Sequence, residues 1–194
     1  MKKTGWIILG TVLVLVVMLF GAFIGTYNNL QVMDENVNSN WAQVDNQLKR
    51  RNDLIPNLVA TVKGYAAHEK AVFTQIAEAR AKLGGAMNKN DMKGIQQGNS
   101  DLSNALSRLL LVVERYPELK ADKQFINLQD ELAGTENRLA VARKDYNDSV
   151  QLLNARIRTF PTSIIAGIIG IKAREYFNTP EADKAVPALS LIHI

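Results

Sequence analysis

A chain of 194 residues has room for one ordinary domain and an anchor, and its 22% charged and 47% hydrophobic residues are those of a foldable chain. It contains no cysteine, which excludes a disulfide framework, a thiolate zinc site, a cysteine nucleophile and an acylated lipoprotein anchor. Lys2 and Lys3 supply two of the net +4 charges; elsewhere acids and bases are interspersed, unlike the clustered basic face of a nucleic-acid-binding protein.

The first element is a membrane anchor. From Ile7 to Ile24 there is no charge, and Thr11 is the only clearly polar side chain. Taken as residues 5–26, the run supplies the ~20 residues that cross ~30 Å of hydrocarbon. Trp6 and Tyr27 stand at its ends, where amphipathic rings favour the interface. A cleaved signal peptide would have a shorter apolar core, about 7–15 residues, and a small-x-small cleavage site, for which Gly21-Ala22-Phe23-Ile24-Gly25 is a poor match. Lys2 and Lys3 precede the run, and no Lys or Arg follows between Asn28 and Gln47. The positive-inside rule then puts a short N-terminus, residues 1–4, in the cytoplasm and the domain on the extracytoplasmic side of a bacterial plasma membrane. Gly21-x-x-x-Gly25 is a weak helix-pairing motif.

Residues 27–178 read as an all-α domain, an elongated antiparallel bundle of three or four long helices. Apolar residues recur at spacings of three and four in two interleaved series. One is Trp41, Leu48, Ile55, Val62, Glu69, Ile76, Leu83; the other is Val37, Val44, Arg51, Leu58, Tyr65, Val72, Ala79. The phase continues across Pro56, which predicts one long helix kinked near Asn52–Pro56. The alternative is a true break there, with Asn52 or Asp53 capping a new helix. Gly84-Gly85 is expected to end this helix, and 86–99 to be a polar connection. A second helix carries Leu102, Leu106, Leu109, Val113 and Tyr116 on one face and stops at Pro117. Asp122 caps a third, whose seam runs from Phe125 through Leu128, Leu132, Thr135, Leu139, Ala142, Tyr146, Val150, Leu153 and Ile157 to Phe160. At ~1.5 Å per residue it extends over about 55 Å. No stretch alternates with period two, so no strand is expected.

The apolar run 164–171 after Pro161 is too short to span a bilayer and is expected to cover one end of the bundle; the alternative is a patch that touches the membrane surface or a partner. A tail, 179–194, follows. Its last six residues, Leu189-Ser190-Leu191-Ile192-His193-Ile194, match the translation of a transposon-derived sequencing adapter, so 189–194 read as a read-through artefact.

No motif carries chemistry. His68-Glu69 lacks the second histidine that a zinc-protease helix needs. The glycines at 84, 85, 94 and 98 are not followed by Gly-Lys-Ser/Thr at phosphate-loop spacing. No serine stands in a nucleophile elbow. The carboxylates lie among bases on helical faces, where i to i+4 pairing explains them. Lys49-Arg50-Arg51 is the one basic cluster, and consecutive helical residues fan out around the axis. Arg51, Glu69 and Thr135 interrupt the seams, as residues at a seam edge or pairing across helices would.

Specific residues add a resemblance. Leu48-Lys49-Arg50-Arg51-Asn52-Asp53-Leu54-Ile55-Pro56-Asn57-Leu58-Val59, then Val62-Lys63-Gly64-Tyr65 and His68-Glu69, strongly resemble the bacterial LemA family. Tyr27-Asn28-Asn29-Leu30, Trp41 and Glu78-Ala79-Arg80 fit as well. Glu114-Arg115-Tyr116-Pro117-Glu118-Leu119-Lys120-Ala121 with Phe125 resembles the family's second block. Thr135-Glu136-Asn137-Arg138, Ala142-Arg143, Tyr146-Asn147, Asn154 and Phe160-Pro161 resemble the third. Leu153 and Ile171 depart from it, where aromatic residues are usual. The resemblance implies one membrane helix, a long helical bundle and no established molecular activity; relatives are associated with envelope processes, one branch with magnetosome formation.

The expected function is a membrane-tethered scaffold or adaptor of the cell envelope, not an enzyme. The alternative is a hydrolase or transferase with a site between helices. No cofactor, metal, nucleic acid or small-molecule substrate is expected. The expected partners are the lipid bilayer, through residues 5–26, and proteins or further copies of the chain, through helix faces. Lys49, Arg50, Arg51, Asp53 and Glu69 have the best claim to an interaction.

Overall fold

The computed structural model describes residues 2–178, with side chains from Trp6 onward; the tail, including 189–194, lies outside the described residues. Six helices follow in order: α1 (Lys2–Tyr65), α2 (Lys70–Asn88), α3 (Met92–Val113), α4 (Pro117–Lys120), α5 (Lys123–Arg158) and α6 (Thr162–Ile169). There is no strand among the described residues. They form two compact units, one of residues up to 42 with 144–176, the other of 43–143 with Phe177.

The anchor segment is the first part of α1, not a separate element. Residues 6–22 are exposed throughout, and the stretch is long and apolar enough to cross a membrane. Further along, Leu30 and Val37 are buried on one face of the same helix. In this first unit α5 runs antiparallel to α1. Asn40 Nδ2 donates to the Asp145 carbonyl (3.3 Å), the Trp41 and Tyr146 rings meet tilted with centroids 5.3 Å apart, and Asp34 and Asn154 both meet Arg174. Asn154 treats the Arg174 backbone as a strand partner would: Oδ1 accepts its N–H and Nδ2 donates to its carbonyl, each at 2.9 Å. Tyr146 donates to the Glu175 carbonyl at 2.9 Å, so the segment after α6 is held against α5.

The second unit is an up-and-down arrangement of four long helices, α1, α2, α3 and α5, with the single turn of α4 between the last two. Lys63 lies over the Phe73 ring and Arg80 reaches the Asn52 carbonyl, which fixes α1 and α2 as antiparallel. Lys82–Asp101 and Gln75–Arg108 do the same for α2 and α3. Arg50–Glu131 and Tyr65–Asp122 do it for α1 and α5. Leu48, Ile55, Val62, Ile76, Leu83, Leu102, Leu109 and Phe125 form the core between them, each essentially inaccessible to solvent.

The helix continues across Pro56, as the unbroken phase predicts, but two other expectations about the first seam need correcting. Proline has no N–H for the carbonyl four residues back. That orphaned carbonyl, Asn52 O, instead accepts Arg80 Nε at 3.0 Å, so a side chain from α2 replaces the missing backbone donor. The break comes at 66–69, where Glu69 N donates to the Ala66 carbonyl and the chain reverses. Gly84-Gly85 lies inside α2, with buried Leu83 and Ala86 on either side holding the turn helical. The predicted connection 86–99 is only a short turn, with Asn90 at φ 51°. From there α3 starts two turns early, capped by the Asp91 carboxylate on Gly94 N (3.1 Å). Gly98 is needed: a Cβ there would stand 2.8 Å from Leu83 Cα, so α2 and α3 approach through it.

At the other end of α5, Asp122 is the cap the sequence predicts, with Oδ1 accepting Phe125 N at 2.9 Å. The helix has 36 residues and ends at Arg158, one turn after Asn154. Phe160, placed in the seam by periodicity, is instead 81% exposed, because the chain leaves the helix before it. α6 covers its neighbours with one face only: Thr162, Ile165 and Ala166 are buried, while Ile164 and Ile168 are exposed.

Candidate functional site: a buried polar cluster beside a groove

The four helices of the second unit enclose one strongly polar feature. Arg51 sits at a seam position, and its side chain is 5% exposed. Its Nη1 donates to Asn99 Oδ1 (2.7 Å) and its Nη2 to Ser103 Oγ (3.0 Å), both on α3. On the other side Nη1 stands 2.9 Å from Glu136 Oε2 on α5, an ion pair off the hydrogen-bonding direction. Glu136 in turn pairs with Arg143 at 3.3 Å, and the Arg143 guanidinium lies 5.5 Å from the Phe177 ring centroid. Burial lowers the Arg51 pKa, the Glu136 carboxylate draws it back up, and Arg143 lowers it again. An arginine so placed still carries its charge. Arg51 Nε has no hydrogen-bond partner.

The cluster opens on a groove of ≈ 380 Å³ whose lining is mainly apolar, with Leu58, Leu106, Leu110 and Leu132 joined by Ser103, Gln129 and Glu136. It holds one buried cation with its counter-ion and no histidine. A second, polar groove of ≈ 400 Å³ lies between α2 and α3 and is crossed by the Lys82–Asp101 and Arg108–Gln75 pairs. There the Lys82 hydrogen bond holds the Asp101 carboxyl below its ordinary pKa, the signature of a structural ion pair. Among the described residues no three His, Asp or Glu side chains converge as metal ligands.

The five residues singled out by sequence do not form one site. Lys49 pairs with Asp45 one turn back (2.6 Å), Arg50 with Glu131 on α5, and Asp53 is exposed. Glu69 lies in the 66–69 turn and pairs with Arg115 at 2.6 Å. Arg51 alone turns inward, so Lys49-Arg50-Arg51 is not a basic patch. Thr135, the other seam interruption, is fully buried and returns its hydroxyl to the Glu131 carbonyl at 2.7 Å. His68 is exposed at the turn. Periodicity missed Glu136, Arg143, Asn99 and Ser103; their one sequence signal is that a basic residue at a seam position requires a buried acid on a facing helix.

The sequence matches the LemA family over residues 40–190. The chain belongs to the LemA family. The match begins one residue before Trp41 and takes in every residue of the Arg51 cluster. Among curated proteins the chain is similar to Magnetosome protein MamQ 2 of Paramagnetospirillum magneticum, at 28% identity over 83% of this chain and 69% of the relative. It is similar at 27% to Magnetosome protein MamQ of Magnetospirillum gryphiswaldense, with the same coverage. Protein LemA of Metamycoplasma hominis is 22% identical over 84% of this chain and 73% of its own length. This LemA-family chain is therefore a membrane-associated protein with one apolar N-terminal helix, and membership brings no defined chemistry to the groove.

Proposed function

We propose that this chain is a non-enzymatic scaffold or adaptor of the bacterial cell envelope, anchored by residues 5–26 with its N-terminus in the cytoplasm. The observation that carries the reading is that the apolar helix enters the domain without a linker: α1 is one element from Lys2 to Tyr65. A membrane helix that runs on without a linker into the helices packed on it suits holding partners, not reaching for substrate. Exposed apolar side chains on those faces, Leu111 on α3 and Val141 and Leu152 on α5, are points at which partners can bury area. Lys2 and Lys3 before the span, against no Lys or Arg from Asn28 to Gln47, support the orientation.

The chain has no cysteine, so single-cysteine variants report position without background. Leu111→Cys, Val141→Cys and Leu152→Cys in intact cells should give discrete products with a bifunctional maleimide reagent. Monomer alone at all three positions would overturn the scaffold. Asn104→Cys should react with a membrane-impermeant maleimide in intact cells; reaction only after lysis would reverse the topology.

A further inference from the structure

We infer that α6 is a second membrane contact, lying in the lipid headgroup layer beside the span with Phe160, Ile164 and Ile168 buried in it. The inference rests on the membrane reading of residues 5–26 and is independent of the scaffold reading.

The helix is short, eight residues, and carries apolar side chains on both faces, of which only one is covered. Thr162, Ile165 and Ala166 pack inward, while Phe160, Ile164 and Ile168 are 81%, 56% and 68% exposed. Positions 164 and 168 lie one turn apart on the same face. Two exposed isoleucines one turn apart, with exposed Phe160 just before the helix, offer more apolar area than a single side chain and mark a contact surface.

Its height identifies the occupant. Asp34 lies eight positions beyond Thr26, about 12 Å along the axis from the end of the apolar run. Arg174 joins that level of α1 to Asn154 of α5, donating to Asp34 Oδ1 (2.8 Å) and exchanging two backbone bonds with Asn154. From Asn154 the antiparallel α5 runs toward the apolar end of α1, and Arg158 is about 6 Å closer to it. α6 follows directly, which brings it to the level of Tyr27–Leu30, the boundary of the span. Leu30 is fully buried and Phe23 and Thr26 are partly covered on the same side of α1, as packing of this end of the unit against them requires. At that level the exposed side chains of α6 are within reach of the headgroup layer.

Charge agrees. From Ser149 to Lys172 there is no acidic residue, and Arg156, Arg158 and Lys172 are all exposed. Apolar side chains flanked by bases, at the height of the headgroups, are what an interfacial helix offers to a surface containing anionic lipid.

The test uses the full chain in vesicles of equal parts phosphatidylethanolamine and phosphatidylglycerol, with an environment-sensitive fluorophore on single cysteines. Ile164→Cys and Ile168→Cys should lose emission to nitroxide carried high on the lipid chains and resist aqueous iodide. Val141→Cys should respond to iodide only, and Val14→Cys to nitroxide placed deep in the bilayer. Iodide quenching at 164 and 168 would overturn the inference. Protection from both quenchers would also overturn it, in favour of a second copy of the chain on this face. Failure at Val14 would instead refute the span itself. All the altered positions are exposed, and circular dichroism of each variant confirms the fold.

Discussion

Removing Glu136 should destabilise the protein more than removing Arg51, although Arg51 is the more buried partner. Arg51→Met deletes the charge together with its desolvation cost and keeps the apolar stem. What remains unsatisfied is the buried Asn99 carbonyl oxygen and one Ser103 bond, a cost of about 1–3 kcal/mol. Glu136→Leu leaves a guanidinium in the core without its counter-ion, and the neighbouring Arg143 charge then acts on it unopposed. Breaking a fully buried pair from one side costs ~3–5 kcal/mol; because the Glu136 side chain is 41% exposed and water reaches it, about 2–4 kcal/mol is expected here. The double variant removes both charges and should be more stable than Glu136→Leu alone. Urea unfolding of the full chain in detergent, followed by far-ultraviolet circular dichroism, reads these differences as midpoint shifts. With a slope of ~1–3 kcal/mol/M they amount to about 1 M. If Arg51→Met were the costlier change, or the two costs simply added, the cluster would not be an ion pair held in the core.

Arg80→Met should cost about 1–2 kcal/mol, because it strips the donor from the Asn52 carbonyl, and Pro56→Ala should abolish that cost by restoring a backbone donor; urea midpoints of the four-member cycle decide it. Gly98→Ala, with its Cβ 2.8 Å from Leu83 Cα, should lower stability by about 1–3 kcal/mol, whereas Gly85→Ala, with nothing within 4 Å, should raise it by up to about 1 kcal/mol in the same melts. The Asp122 carboxyl is held below its ordinary pKa by Phe125 N–H and then by Tyr65, so its stabilisation is complete above about pH 3.9 and is lost as pH falls through the depressed value. The Tyr65 phenol, raised by its hydrogen bond to Asp122, acts oppositely: its contribution is full below about pH 10 and lost as pH rises through the raised value. Asp122→Asn should therefore flatten the acid side of melting temperature against pH, and Tyr65→Phe should make the alkaline side less steep. Asn154→Ala removes both bonds to the Arg174 backbone, and tryptic cleavage after Lys172 and Arg174 should quicken by about tenfold or more, at ~1 kcal/mol per bond.

What could be read in the sequence was which side of each helix is apolar, and what could not was which segment faces it. The cap at Asp122 and the length of α5 are local properties, and they appear where the sequence puts them. The chain reversal at 66–69 left no trace in the periodicity, because both arms of an antiparallel helix pair face the same core and the a/d phase runs through the turn. The informative residue was the interruption at Glu69, which stands at the reversal and which a count of matches treats as noise. Gly84-Gly85 carried the opposite error: a local breaker was overridden by packing on both sides of it. Arg51 shows the limit most clearly. Its neighbours Lys49 and Arg50 are solvated, and nothing within a turn distinguishes it from them except its place in the seam. A cation there makes sense only with Glu136, 85 positions later, and sequence periodicity has no register between two helices so far apart. The same gap explains α6: its isoleucines announce an apolar segment, but Ile165 and Ile164 differ only in what stands opposite them, protein for one and, on the reading above, lipid for the other.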